Sequence, residues 1–174
     1  TSLRGLMTEH GMSPDGFLEY VHDIDHSVLD PDPALGAAIA ALPGRKFIYT
    51  NGTKKHAEKT AARLGIADHF EDIFDIVAAG LVPKPERAAY EMFWSRHGVD
   101  PTRAAMFEDL AKNLVAPKSA GMRTVLVVPR NLTTTFADAF NADGIVSHHV
   151  DHTTDDLAAF LREVIGGRRA PVSP

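Results

Sequence analysis

From residue 32 onward the chain alternates amphipathic helical stripes with short β-rich runs, and this alternation leaves few architectures open. Asp32-Pro33 offers an N-cap followed by a first-turn proline, Leu35, Ile39 and Leu42 share one face, and Pro43-Gly44 ends the segment. The run at 46–50 (KFIYT) then leads straight into Asn51-Gly52. Thr53 is placed to cap a second helix with an Ala57, Ala61, Leu64 stripe, and Gly65 is placed to stop it. The same pattern predicts strands at 73–78, 104–107 and 124–128 and at Ile145-Val146. It predicts helices at 86–97, closed by Gly98, and at 154–165. A further helical segment at 113–120 is confined by Pro117. Residues 130–143 read as the most loop-like stretch. Strands separated by helices at this spacing pair in parallel and are covered on both faces. In such sheets ligands bind beyond the carboxyl ends of the strands.

That rule draws attention to three places. The first is Thr50-Asn51-Gly52, where a hydroxyl and successive backbone N–H groups lead into a helix N-terminus, an arrangement able to hold a phosphate oxygen. The plainer reading is a turn in which Asn-Gly supplies permissive backbone angles. The second is Lys84, held between Pro83 and Pro85 just before a helix, where an ammonium could neutralise a phosphate; the plainer reading is a surface lysine. The third is the run from Phe107 to Asn113 (FEDLAKN), in which Glu108 and Asp109 end an apolar strand and Asn113 follows four residues later. Magnesium seeks such oxygen ligands, although acids also decorate ordinary helix starts. A hydroxyl, a lysine and an acid pair thus follow successive strands in that order.

On these segments the sequence resembles the haloacid dehalogenase-like superfamily: FIYTNGT is similar to its second motif, the lysine of VPKP to its third and FEDLAKN to its fourth. The similarity runs from about Tyr20 to Leu161. LPGRKFIYTNG, AAMFEDLAKNL and TDDLAAFL resemble the pyrimidine 5′-nucleotidase-like branch most. The resemblance implies a three-layer, Rossmann-like α/β core with a parallel sheet and helices on both faces. It further implies a Mg²⁺-dependent phosphomonoester hydrolase that acts through an aspartyl-phosphate on a small phosphate ester, such as a pyrimidine nucleoside 5′-monophosphate. In that scheme Thr50 and Lys84 are catalytic, and Thr50, Asn51, Gly52 and Lys84 bind phosphate. Glu108 and Asp109 hold Mg²⁺ directly or through water, braced by Asn113. Alternative readings are a phosphatase of the same fold for a sugar or cofactor phosphate, or an inactive binding module or fragment without the nucleophile. Dehalogenation needs no magnesium and so fits the acid pair less well.

The family's first motif, Asp-x-Asp-x-Thr/Val, carries the nucleophile, and Asp23-Ile24-Asp25 imitates its letters. A nucleophile of this kind ends a buried central strand, which requires four or five apolar residues before it. Here Glu19 and His22 interrupt that run, and only one helix and one strand separate Asp25 from Thr50. We therefore expect the pair to be a decoy, with residues 1–22 forming the tail of a helical cap in which Leu3, Leu6 and Met7 keep helical spacing. Residues 23–166 would be the core without its first strand, and 167–174 a flexible tail. The expected sequence is then a piece of a longer protein, because removing a central strand leaves two open sheet edges.

Composition sets the outer limits. Eighteen basic against 23 acidic residues give a net charge of −5, which argues against a nucleic acid polymer as partner. The absence of cysteine removes disulfides and thiolate metal sites. No apolar run approaches the roughly 20 residues of a membrane helix, so we expect no membrane partner and a cytoplasmic location. Oligomeric state is left open. His148, His149 and His152 fit no familiar ligand spacing and read as a polar loop.

Overall fold

The computed structural model describes residues 11, 13, 16–18, 24–130 and 148–167. The expectations for most of residues 1–22, for Asp23, for the loop beyond Arg130, for the strand at Ile145-Val146 and for the 168–174 tail lie outside these residues. Local signals set most of the element boundaries. The Asp32 carboxylate accepts the Leu35 N–H at 2.9 Å and caps helix α1 (Pro33–Ala41). Strand β1 (Phe47–Tyr49) leads to helix α2 (Lys54–Leu64), whose first turn is capped by the Thr53 hydroxyl. Gly65 ends α2 at φ +73, a backbone conformation that costs an L side chain but not glycine. Strand β2 (Asp72–Phe74) pairs in parallel with β1, Ile48 opposite Ile73.

The β-rich run 73–78 predicts a longer strand than the fold contains. The chain leaves the sheet at Asp75, whose carboxylate accepts the N–H groups of Lys54 at 2.9 Å and Ala78 at 2.8 Å. These bonds bend residues 75–82 into successive turns. There Leu81 takes φ +63, rare for an L side chain, held by its N–H bond to Ile76 O and by packing on Leu18 and Ile76.

Beyond this point come helix α3 (Arg87–His97), strand β3 (Ala105–Glu108), helix α4 (Val115–Ser119), strand β4 (Arg123–Val127), strand β5 (His152–Thr154) and helix α5 (Leu157–Gly167). Ala111–Leu114 form a 3₁₀ turn leading into α4, so Pro117 sits in the first turn of a short helix and displaces no hydrogen bond from a long one. β3, β4 and β5 pair in parallel in that order. The end of the polar His148–His152 stretch is therefore an edge strand, with His152 opposite Val125. Alternation of charge with β-branched residues disguised it. The fold is an α/β, Rossmann-like arrangement of parallel strands and helices, as expected. Its strands fall into two sheets, one in each of two compact units, Thr1–Pro83 and Lys84–Pro174. Among the described residues β1 pairs with β2 alone and β3 with β4 alone.

In the first unit α2 packs on β2, and Phe74, Ile76 and Ala79 are almost fully buried. In the second, Leu114 and Leu126 form a core with Ala111, flanked by Met106, Val128 and Val150. Tyr90, Phe93 and Trp94 are buried on α3. No helix among the described residues is long and apolar enough to cross a membrane.

A second polar anchor lies at the start of β4. Thr124 is fully buried, and its N–H and hydroxyl lie 3.0 and 3.1 Å from Asp151 Oδ2, while Lys118 forms an ion pair with Asp151 Oδ1. The Lys118 hydrogen bond, followed by that of the Thr124 N–H, pulls the Asp151 carboxyl down to about 2. A carboxyl depressed on folding stabilises the protein above its unfolded pKa, near 3.9, and that contribution fades as pH falls toward 2. Asp151→Asn should therefore cost on the order of 1–2 kcal/mol in urea denaturation at pH 7, with the difference from wild type shrinking between pH 4 and pH 2. A pH-independent difference would contradict this assignment.

Candidate active site

In the second unit Lys84 leaves the loop before α3 and enters the interior, with a side chain only 9% exposed against 3% for its partner Glu108. A surface lysine is thereby ruled out. Lysine is almost never buried without a counter-charge, and Lys84 forms an ion pair with Glu108 Oε1. Asn113 Nδ2 donates to the same oxygen at 3.0 Å. Glu108 Oε2 accepts the backbone N–H groups of Asp109 at 2.9 Å and Leu110 at 3.1 Å. Four donors therefore occupy a carboxylate that offers about four lone-pair sites. Burial works against the Glu108 charge, yet the Lys84 ammonium and these hydrogen bonds outweigh it and hold the carboxyl below its ordinary range.

Asp109 has the opposite surroundings. Burial, followed by the adjacent Glu108 carboxylate, pushes its carboxyl up to about 6. The backbone turn that satisfies Glu108 thus leaves a second acid directly beside the first, on the exposed side of the turn. Beside it, Asn113 Oδ1 is buried and has no hydrogen-bond partner among the described residues. Tyr90 fixes the Asn113 backbone, its hydroxyl donating to the Asn113 carbonyl at 2.6 Å. A destabilised carboxylate and an orphaned amide oxygen lie four residues apart on one short turn, and both are oxygen donors of the kind that a hard divalent cation such as Mg²⁺ takes. Asp109 would hold the ion, with Asn113 in support. The four bonds to the oxygens of Glu108 also make it the residue that positions the turn.

The first unit carries the Thr50 turn. The Gly52 N–H donates to Thr50 Oγ1 at 2.9 Å, so the hydroxyl hydrogen of Thr50 is left to point elsewhere. Gly52 thereby orients Thr50. Thr50 N–H bonds Phe74 O at 3.0 Å and Ile76 N–H bonds Gly52 O at 3.2 Å, which ties the Thr50–Gly52 turn to the end of β2. Asp75 clamps the following helix start to the same place. Sequence reasoning missed Asp75 because the predicted strand ran through it, and missed Tyr90 because its hydroxyl reaches a carbonyl 23 residues away, a contact without a local signal. An acid in the middle of an apolar run, directly after Ile-Phe, was the available signal.

Asp25 caps the 3₁₀ turn His26–Val28 from an exposed position, accepting Ser27 N–H and Oγ–H at 2.8 Å each. It does not end a strand, in keeping with the decoy reading; Asp23 lies outside the described residues.

Lys84→Met, which leaves Glu108 buried without its counter-charge, should cost about 3–5 kcal/mol in urea denaturation. Adding Glu108→Gln removes the stranded charge and should restore roughly 1 kcal/mol or more. A small first loss, or no recovery in the double variant, would contradict a closed ion pair. Asp75→Ala, which strips acceptors from two N–H groups, should cost about 1–3 kcal/mol in the same measurement.

The family profile described as haloacid dehalogenase-like hydrolase matches residues 16–121. Among solved structures, the L-2-haloacid dehalogenase of Xanthobacter autotrophicus superposes with TM-score 0.60 at 20% identity, covering 81% of this chain and 63% of that one. The chain therefore spans less than two thirds of that enzyme's length. A conserved haloacid dehalogenase-like protein of unknown function from Agrobacterium tumefaciens gives TM-score 0.58 at 17% identity, covering 98% and 85%. A HAD family hydrolase from Deinococcus radiodurans, solved with bound phosphate and sodium, gives 0.60 at 19%, covering 95% and 74%. No curated protein sequence matches the chain. At such identities the structural likeness speaks for the fold, while the profile, which spans more than half of the chain, speaks for descent: the chain belongs to the haloacid dehalogenase-like hydrolases.

Proposed function

We propose that this hydrolase is a Mg²⁺-dependent phosphomonoesterase acting through an aspartyl-phosphate, with a pyrimidine nucleoside 5′-monophosphate as the favoured substrate. The observation that carries the proposal is the division of work within the acid pair: Glu108 is saturated by four donors, while Asp109 is crowded and Asn113 Oδ1 lacks a donor. A dehalogenase of this fold has no need for such an oxygen set. The nucleotidase assignment rests on the resemblance of the LPGRKFIYTNG and AAMFEDLAKNL segments.

In this reading Thr50 donates its hydroxyl hydrogen to a phosphoryl oxygen, and the Asn51 backbone borders the same turn. Lys84, held in place by Glu108, neutralises phosphoryl charge without a search through rotamers at the moment of reaction. Asp109 and Asn113 hold the metal. When bound, Mg²⁺ supplies further charge neutralisation to phosphate oxygens, as one of the slowest uncatalysed reactions requires. Asp25 is not the nucleophile, because its exposed capping position offers neither a strand end nor a dry pocket.

The test is phosphate release by the full-length gene product across nucleoside monophosphates and sugar phosphates, with Mg²⁺ and with a chelator. The expected result is hydrolysis that the chelator abolishes, that Thr50→Val lowers by roughly 10²-fold or more, and that Asp25→Ala leaves unchanged. Halide release from 2-haloacids without metal, and no phosphate release, would overturn it. Preference for a sugar phosphate would keep the reaction and change the substrate.

A further inference from the structure

The first unit holds two imidazoles that the hydrolase chemistry leaves unused. His26 opens the 3₁₀ turn that Asp25 caps, and His56 sits in the first turn of α2. Thirty residues apart in sequence, they meet with His26 Nε2 3.1 Å from His56 Nδ1. Their ring centroids are 5.1 Å apart and their planes are tilted by 51°. Both residues are half-buried. A neutral imidazole carries one N–H, hence a single hydrogen lies between the two nitrogens.

The same separation is an edge of a coordination shell. Two nitrogens bound to one ion at about 2.0–2.1 Å stand roughly 2.9–3.4 Å apart in square or tetrahedral geometry. The backbone already holds the two rings at that spacing. The turn is fixed to α2 independently, since Arg63 Nη2 donates to Ser27 O at 3.0 Å. An ion would therefore meet a preformed pair. Lys59 and Arg63 line the groove beside His26 together with Asp25. With two cations against one carboxylate, a hard ion such as Mg²⁺ or Ca²⁺ gains no electrostatic reason to enter. Selection falls to imidazole nitrogen, which favours borderline ions.

We propose that His26 and His56 chelate a borderline transition-metal ion, Zn²⁺, Ni²⁺ or Cu²⁺, which staples the His26–Val28 turn to α2. The ion takes the place of the shared hydrogen. The ring that carried it takes that proton up on its other nitrogen, by exchange with water, so two neutral rings bind the ion without net proton release. Among the described residues no group of three or more His, Cys, Asp or Glu surrounds the place, so water completes the shell and affinity is moderate.

The test titrates ZnCl₂, NiCl₂ and CuCl₂ separately into the purified protein by calorimetry, with electron paramagnetic resonance of the Cu²⁺ form. The expected result is one ion per chain with two nitrogen couplings, tightest for Cu²⁺, unaffected by millimolar Mg²⁺. His26→Gln and His56→Gln should each weaken binding at least tenfold while leaving the circular dichroism spectrum unchanged. Binding that survives either substitution would place the ion on others of the nine histidines and overturn the proposal. If a variant folds poorly, ¹⁵N resonances of the wild-type imidazoles decide: Zn²⁺ must shift His26 and His56 together, and a shift of other rings alone refutes the site.

Discussion

Burying an ammonium is tolerable only when a carboxylate meets it, and burying that carboxylate is tolerable only when its remaining lone pairs are filled. The Lys84–Glu108 pair meets both conditions, and much of the second unit is arranged around doing so. Asn113 and two backbone N–H groups complete the shell of Glu108. Those bonds fold residues 108–113 into a tight turn on the end of β3. Tyr90, reaching over from α3, fixes the far side of the turn through the Asn113 carbonyl. The arrangement follows from satisfying one buried charge pair, and its by-product is the exposed half of the acid pair.

That by-product is what the proposed chemistry uses. A carboxylate forced next to another is raised in energy until a cation arrives. Glu108 therefore acts through Asp109, and a change at either residue should be felt at the other. In the first unit Asp75 plays a comparable part. Its two oxygens fasten the start of α2 and the turn beyond β2, so that Thr50 leaves β1 on a fixed course. In both units a buried acid organises the backbone beside a side chain that the proposed chemistry uses.

Much of this was legible in the sequence, for identifiable reasons. Asp32, Thr53, Gly65 and Gly98 act within a turn or two of themselves, and local signals of that range survive folding unchanged. The lysine and the acid pair were found because strand ends are where a parallel sheet exposes its ligands. The division between Glu108 and Asp109 was not legible, because adjacent carboxylates look alike until the backbone decides which one turns inward. Asp75 was hidden in a run whose β propensity is high; a side-chain bond to Lys54, 21 residues away, overrode that propensity. His152–Thr154 became a strand only because β4 offered an edge to pair with. Contacts across such distances in sequence leave no local trace.

The central claim is that Asp109, and not Glu108, is the carboxylate that receives a divalent ion. Mn²⁺ binding followed by electron paramagnetic resonance, with Mg²⁺ as competitor, tests it without depending on turnover. Asp109→Asn should abolish Mg²⁺-displaceable binding, whereas Glu108→Gln should retain it with reduced affinity and lowered thermal stability. Wild-type affinity in Asp109→Asn, or loss confined to Glu108→Gln in a folded protein, would contradict the account.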